Sequence, residues 1–242
     1  MRWSACLVLA LAAFAAAPAQ AQQRGVVTVE EWVEVGGSAT RFVMPPAVEA
    51  ADGAIAAYGP FRVLDDRTAA LVGVTDTRSP GQFAAMLRDF PQLDRLDMIE
   101  CAGTFDDRAN LKLGRMIRAA GLATHVPDGG SVRSGGVELF LAGTRREIDE
   151  GAEFAVHAWE DEDGLQASDY AESAPENAKY LAYYREMGMS ADEARAFYAM
   201  TNSVPFEQAR WLSGAEMRQW IGQGGEGEAP KLAYLDLGLS LN

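Results

Sequence analysis

The chain has 242 residues, 48% of them hydrophobic, and a formal net charge of −14 at pH 7. This length is enough to bury one sizeable core, so we predict one domain with an N-terminal extension. An acidic chain without a basic stripe binds nucleic acids and anionic membranes poorly, because phosphate neutralisation by Lys and Arg supplies most of the non-specific affinity. We therefore expect neither as a partner.

Residues 1–21 have the pattern of a secretory signal peptide. Arg2 precedes an apolar run over residues 5–17, and an A-x-A cleavage pattern follows at residues 19–21. The apolar run is shorter than a membrane-spanning helix. We expect a mature chain that begins near residue 22, is periplasmic or secreted, and has no membrane span.

Residues 22–53 read as an N-terminal extension that includes a weak strand pair and carries no recognisable chemistry. More regular elements follow: strands at 61–64 and 69–74, a helix from Ser79, and a strand at 93–100. Ser79 and Pro80 predict the helix N-cap and its first position, and apolar residues then recur at helical spacing. This order of strand, strand, helix and strand predicts an α/β fold.

The strand at 93–100 leads into a loop at 101–105, and a helix is expected from 106 to 118. Thr104 and Asp107 form a plausible capping pair, which would leave open backbone N–H groups at this junction. Cys101 is the one cysteine left after signal-peptide removal, so no intramolecular disulfide is expected. At the end of an apolar strand, this thiol is expected to be a buried small hydrophobe.

Ser134 follows a strand at 122–126 and a loop at 127–133, and it precedes two glycines. A serine nucleophile needs a sharp turn that exposes Oγ, free N–H groups beside it and an imidazole that accepts its proton. His157, in the strand-like segment 153–159, is the candidate base. A helix N-cap for the serine and a structural role for the histidine are the alternatives.

The sequence predicts structural rather than catalytic roles for the other polar residues of this region. Glu138 reads as a solvated or interface charge, and the acidic cluster at 160–164 reads as a solvated turn because it lacks calcium-ligand spacing. The two histidines and the distant remaining cysteine do not make a zinc site, so no metal or cofactor is expected. Two helices, at 178–187 and from Ser190 to residue 200, carry aromatic residues for the core or a substrate groove.

The string SGGVELFLAG from Ser134, the segment FAVH ending at His157 and IECAGTFDDRANLKLGRMIR at 99–118 resemble the Clp protease/crotonase-like superfamily, in particular periplasmic relatives of the Clp proteolytic subunit. The resemblance covers about residues 55–222. It implies an α/β fold, the Clp/crotonase-like ββα superhelix, as a single domain at 54–222. A Gly-rich linker and C-terminal tail at 223–242 would follow, and homo-oligomers are common in the family.

The resemblance also implies roles for individual residues. Ser134 would attack a peptide or small acyl carbonyl, His157 would act as base and then acid, and the N–H groups of Gly103 and Gly135 would form the oxyanion hole. Thr104 stands where the family has the second glycine of a pair.

A third catalytic residue should orient the histidine, and both Asn202 and Glu207 are candidates. The implied function is a secreted or periplasmic serine hydrolase, peptidase-like, that uses a Ser-His dyad or triad. The alternative is a catalytically inactive binding or scaffold protein with the same fold.

Overall fold

A computed structural model of the chain describes residue 51 and residues 53–223. The predicted signal peptide, nearly all of the N-terminal extension and the tail after residue 223 lie outside these residues. Within them, nine strands form one sheet, and six α-helices pack with it. The α/β class expected from the sequence is therefore confirmed.

The elements follow one another as short strands and helices. The strands are β1 (Ala56–Tyr58), β2 (Phe61–Val63), β3 (Thr68–Thr75), β4 (Arg95–Thr104), β5 (Ala123–Val126), β6 (Ser131–Arg133), β7 (Arg146–Ile148), β8 (Glu153–Val156) and β9 (Arg210–Ser213). The helices are α1 (Ser79–Asp89), α2 (Asp107–Ala119), α3 (Gly135–Leu141), α4 (Pro175–Glu186), α5 (Ala191–Thr201) and α6 (Gly214–Trp220), with a 3-10 helix at Ala167–Asp169.

The sheet has the strand order β1-β2-β3-β4-β6-β8-β9, and β5 pairs with both β4 and β7. The central strands β3, β4, β6 and β8 are mutually parallel, while β1, β2 and β9 run antiparallel to their neighbours. The long β4 pairs with two strands on the same side, with β5 along its first half and with β6 along its second half. The second half of β4 thus ends beside β6, which lies between it and β8.

Aromatic and aliphatic side chains from the sheet and from the helices form the core. Phe83 on α1 packs on Phe61 of β2 at a ring-centroid distance of 5.4 Å. Phe140 on α3 packs on Phe154 of β8 at 5.2 Å. All four side chains are fully buried, and each such burial contributes about 1.5–3 kcal/mol.

Several predicted helix starts shift by one or two residues. Helix α1 is capped by Arg78, and Ser79 is its first residue. The predicted capping role of Thr104 is wrong, because Asp106 caps α2 and accepts a hydrogen bond from the Ala109 N–H at 3.0 Å. The cap predicted at Ser190 is confirmed.

Strand β6 was missed by the sequence analysis, which predicted a loop at 127–133. Its three residues follow the turn at Gly129 and Gly130, and they are held by register pairs to β4 and β8, such as Val132 with Cys101. A strand this short is too brief to show period-two alternation. Cys101 is 1% exposed, and burial raises the pKa of its thiol, as expected for a small hydrophobe.

His125 on β5 belongs to a separate charged cluster. Its Nδ1 lies 3.0 Å from Asp97 Oδ1, and its Nε2 lies 3.2 Å from Asp149 Oδ1. Burial lowers the pKa of His125, but the hydrogen bonds to the two carboxylates outweigh burial and raise it above its ordinary value. The histidine is therefore a structural group in this fold.

This cluster predicts a pH-dependent contribution to stability. A folded-state pKa above the unfolded value of about 6.5 stabilises the fold at lower pH, and that contribution is lost as pH rises through the folded pKa. We expect His125→Gln to reduce the free energy of unfolding more at about pH 5.5 than at about pH 8.5. Urea titrations at both pH values measure the two differences, and a larger loss at the higher pH would refute the assignment.

Candidate active site

Three of the predicted site residues lie where parallel strands of the sheet end. Gly103 is near the end of β4, Ser134 follows β6, and His157 follows β8. The Ser134 N–H donates to the Ala155 carbonyl at 2.9 Å, which continues the parallel register of β6 with β8. The carboxyl ends of neighbouring parallel strands meet at one edge, so the topology brings these residues together.

Ser134 has an unusual backbone. Its φ of 49° and ψ of −130° make it the one residue other than glycine with positive φ in the described part of the chain. It occupies the N-cap position of α3, yet its side chain makes no capping hydrogen bond. A serine that merely caps the helix would bond to the N–H of the second or third helical residue. The structure therefore gives no support to the cap alternative.

The backbone strain at Ser134 predicts that replacing this residue by glycine stabilises the folded protein while it removes the nucleophile. A left-handed backbone destabilises the folded state by about 1–3 kcal/mol when the residue is not glycine. A glycine avoids this strain, but it loses about 0.5–1 kcal/mol more conformational entropy on folding. We expect Ser134→Gly to raise the free energy of unfolding by about 1 kcal/mol. Ser134→Ala, which removes the hydroxyl and keeps the strain, is the matched control in urea denaturation. Equal stability of the two variants would contradict the argument.

Gly103 supports the serine from β4. It has φ of 122°, and a Cβ added there would lie 3.1 Å from Ser134 Cβ and 3.5 Å from Ser134 Oγ. In this loop the residue with positive φ is Gly103, and Thr104 does not have positive φ. The Thr104 hydroxyl instead lies 3.3 Å from the Thr75 carbonyl and accepts from the Asp106 N–H at 3.1 Å. A threonine is therefore compatible with this loop.

Gly135 begins α3, so its N–H has no helical carbonyl partner. Its lack of a side chain is required, since a Cβ there would lie 2.6 Å from Thr104 Cγ2. The buried Asn110 donates from Nδ2 to the Gly135 carbonyl at 2.7 Å and accepts at Oδ1 from the Thr75 hydroxyl at 2.9 Å. Sequence analysis missed this amide, whose one signal was a polar residue on the buried face of a predicted helix.

His157 is half-buried and has a defined orientation. Its Nδ1 is 2.8 Å from the Ala158 carbonyl, a geometry in which Nδ1–H donates and Nε2 is left as the acceptor. The Phe206 ring packs edge-on against the imidazole at 5.1 Å, and the Ala158 N–H donates to the Val204 carbonyl at 2.9 Å. A neutral carbonyl thus orients the ring, where the resemblance implied a side chain.

The two candidates for the third catalytic residue differ in position. Asn202 lines the same cleft as Ser134 and His157. Its Nδ2 donates to the Tyr198 carbonyl at 2.8 Å, while its buried Oδ1 has no hydrogen-bond partner among the described residues. Glu207 is exposed and is not part of the cleft lining. A catalytic role for Asn202 stays a prediction.

The cleft itself measures about 400 Å³ including its open mouth. Aromatic side chains from the segment after β8 and from α4 and α5 form much of its wall. Besides the serine, histidine and asparagine, its lining consists of Asp107, Gly135, Val137, Glu138, Val156, Trp159, Tyr180, Tyr184, Tyr198 and Thr201.

The predicted solvated position of Glu138 is wrong. The residue is 8% exposed, and the Tyr184 hydroxyl donates to its Oε1 at 2.7 Å. Burial raises the pKa of this carboxyl to about 7, although the tyrosine hydrogen bond opposes the shift. The partner lies 46 residues further along the chain, so no local pattern indicated it. A carboxyl with a raised pKa beside a candidate nucleophile is typical of functional sites.

The part of the chain that the structure describes bears on two further classes of function, metal binding and membrane spanning. No group of three or more His, Cys, Asp or Glu residues there is arranged to hold a metal ion. None of the helices found there combines the length and apolarity needed to cross a membrane.

Comparisons with known proteins give fold-level similarities. No family model matches the chain, and no curated protein matches it. A ClpP1 variant from Listeria monocytogenes is similar over 64% of this chain and 88% of its own, with 17% identity and a TM-score of 0.46. A variant of the 1510-N membrane-bound stomatin-specific protease, solved with a substrate peptide, is similar over 61% and 70%, with 16% identity and a TM-score of 0.39. At these values neither similarity identifies an activity or a site in this chain.

Proposed function

We propose that this chain is a serine hydrolase of the Clp/crotonase-like type that cleaves peptide substrates, with Ser134 as nucleophile and His157 as base. The observation that carries the proposal is the strained Ser134. Its side chain makes no capping bond, and it shares a cleft with a histidine whose Nε2 is a free acceptor. Strain that serves no structural bond is typical of a nucleophile presented on a strand-to-helix turn.

The chemistry follows from these positions. His157 Nε2 takes the proton of Ser134 as Oγ attacks the carbonyl, and it then returns the proton to the leaving amine. The N–H of Gly135, which lacks a helical partner, and the N–H of Gly103 would donate to the oxyanion. Water then releases the acyl group by the same route, so no cofactor is required.

Location and assembly belong to the same proposal. Export to the periplasm or beyond rests on residues 1–21, which lie outside the described part of the chain. Membership of a periplasmic branch and self-association rest on the resemblance of the sequence. All three stay predictions.

Peptide hydrolysis is the direct test. The mature chain from residue 22 is incubated with a mixed peptide library, and new termini are detected by mass spectrometry. Cleavage by the wild type and none by Ser134→Ala is expected. Equal cleavage by both proteins would overturn the proposal.

A binding or scaffold protein is the second candidate. The observation that favours it is the orienting group of His157, since a neutral carbonyl stabilises imidazolium less than a carboxylate does. Folded wild-type protein that binds library peptides without cleaving them would support this candidate.

A further inference from the structure

The lining of the cleft that contains the serine offers hydrogen-bond acceptors. Glu138 lies one helical turn after Ser134, and residues four apart share one face of a helix. Both residues line the same cleft. Glu138 is thus the ionisable group of the cleft that lies one turn from the nucleophile on the same helix.

The carboxyl of Glu138 lacks a positive partner. No described Lys, Arg or His lies within ion-pair distance of it, and Tyr184 is the one described side chain that hydrogen-bonds to it. Ionising a buried carboxyl without a cation is unfavourable, which agrees with a pKa raised to about 7 by burial. A cation from outside would remove this penalty.

A second acceptor in the same lining is also unused. Asn202 Oδ1 is buried and has no hydrogen-bond partner among the described residues. A lysine ammonium carries three donors and no acceptor, so it matches a cleft whose lining holds the carboxylates of Asp107 and Glu138 and an amide oxygen. An acidic side chain would be repelled by these carboxylates.

Aromatic faces complete the match to a cation. Trp159 and Tyr180 stack at 6.1 Å, and Tyr180 stacks on Tyr198 at 5.8 Å. The protein's own Lys179 already places its Nζ 5.3 Å from the Trp159 ring and 4.9 Å from the Tyr180 ring. These rings therefore attract an ammonium group, and their edges provide an apolar path for its methylene stem.

We propose that Glu138 determines substrate specificity and that the cleft accepts a cationic side chain, lysine or arginine, on the residue whose carbonyl Ser134 attacks. This inference rests on the proposed hydrolase function and narrows its substrate class. The ammonium or guanidinium would bind Glu138 and Asn202, and its stem would lie along the aromatic wall.

The test compares two tripeptide aldehydes that differ only in their last residue, lysinal or norleucinal. Each competes with a fluorophosphonate probe for Ser134 at about pH 8, where a carboxyl with a pKa of about 7 is mostly ionised. We expect lysinal to block labelling at a concentration at least about tenfold lower than norleucinal. The ratio within one protein cancels any change in the reactivity of the serine.

Two variants locate the effect. In Glu138→Gln the ratio should fall well below its wild-type value, since an amide offers no charge to the ammonium and Asp107 is the one carboxylate left in the lining. Glu162→Gln, which removes the same charge from an exposed turn, should keep the wild-type ratio. If Glu138→Gln fails to fold, a third aldehyde with a glutamate side chain serves on the wild type and should be the weakest competitor.

The outcomes separate the two proposals. Labelling of the wild type with equal potency of lysinal and norleucinal, or an unchanged ratio in folded Glu138→Gln, overturns the specificity and leaves the hydrolase intact. Absence of labelling in folded wild-type protein overturns the hydrolase function, and the specificity falls with it.

Discussion

Ser134→Ala is expected to abolish covalent labelling by a fluorophosphonate probe, and His157→Ala to slow it by about 10²- to 10⁴-fold. The first variant lacks the attacking oxygen, and the second lacks the acceptor for its proton. Because the two residues act as one unit, the double variant should hydrolyse peptides no more slowly than Ser134→Ala alone. Labelling rates are followed by in-gel fluorescence and hydrolysis by mass spectrometry.

The second histidine provides the matched control. His125 lies in the charged cluster with Asp97 and Asp149, outside the lining of the cleft. His125→Gln should therefore label at nearly the wild-type rate at pH values where it remains folded. Slow labelling of His125→Gln together with normal labelling of His157→Ala would reverse the assignment of the base.

Gly103→Ala is expected to lower the labelling rate by about 100-fold, an effect similar to the loss of one oxyanion donor. The new methyl group would lie 3.1 Å from Ser134 Cβ, so either the serine or the end of β4 has to move. The left-handed backbone adds strain of about 1–3 kcal/mol to the folded state. The measurement combines labelling kinetics with urea denaturation.

Gly73→Ala separates the contact from the strain. Gly73 on the neighbouring β3 has a similar φ of 113°, but a Cβ there meets no atom within 4 Å. Gly73→Ala should lose stability through strain alone, Gly103→Ala should lose at least as much, and only Gly103→Ala should react more slowly with the probe. An equal loss of reactivity in both would show that strain, not the contact with Ser134, is responsible.

The parts of the fold set by local pattern could be predicted from the sequence. Phe83, Met86, Leu87 and Phe90 recur at helical spacing, and all four, the last at the C-cap of α1, pack in or against the core. The sharp turn at Ser134 and the helix after it were predicted from the two glycines that follow the serine, whereas strand β6 before it was predicted as a loop.

The remaining parts of the site depend on contacts between distant segments. Glu138 was predicted to be solvated because its partner Tyr184 comes from another helix. Asn110 donates a hydrogen bond to the Gly135 carbonyl, 25 residues further along the chain. The orientation of His157 depends on the Ala158 carbonyl, and patterns of side chains in the sequence do not indicate the direction of a backbone carbonyl. The contacts of Glu138 and Asn110 join segments that are far apart in the chain, so no local pattern indicates them.

The central claim is that Ser134 is an activated nucleophile. The most direct measurement is the intact mass of the folded mature protein after reaction with a fluorophosphonate, followed by peptide mapping of the adduct. We predict a single adduct on the Ser134 hydroxyl. Folded protein without an adduct, or an adduct on another residue, would contradict the account.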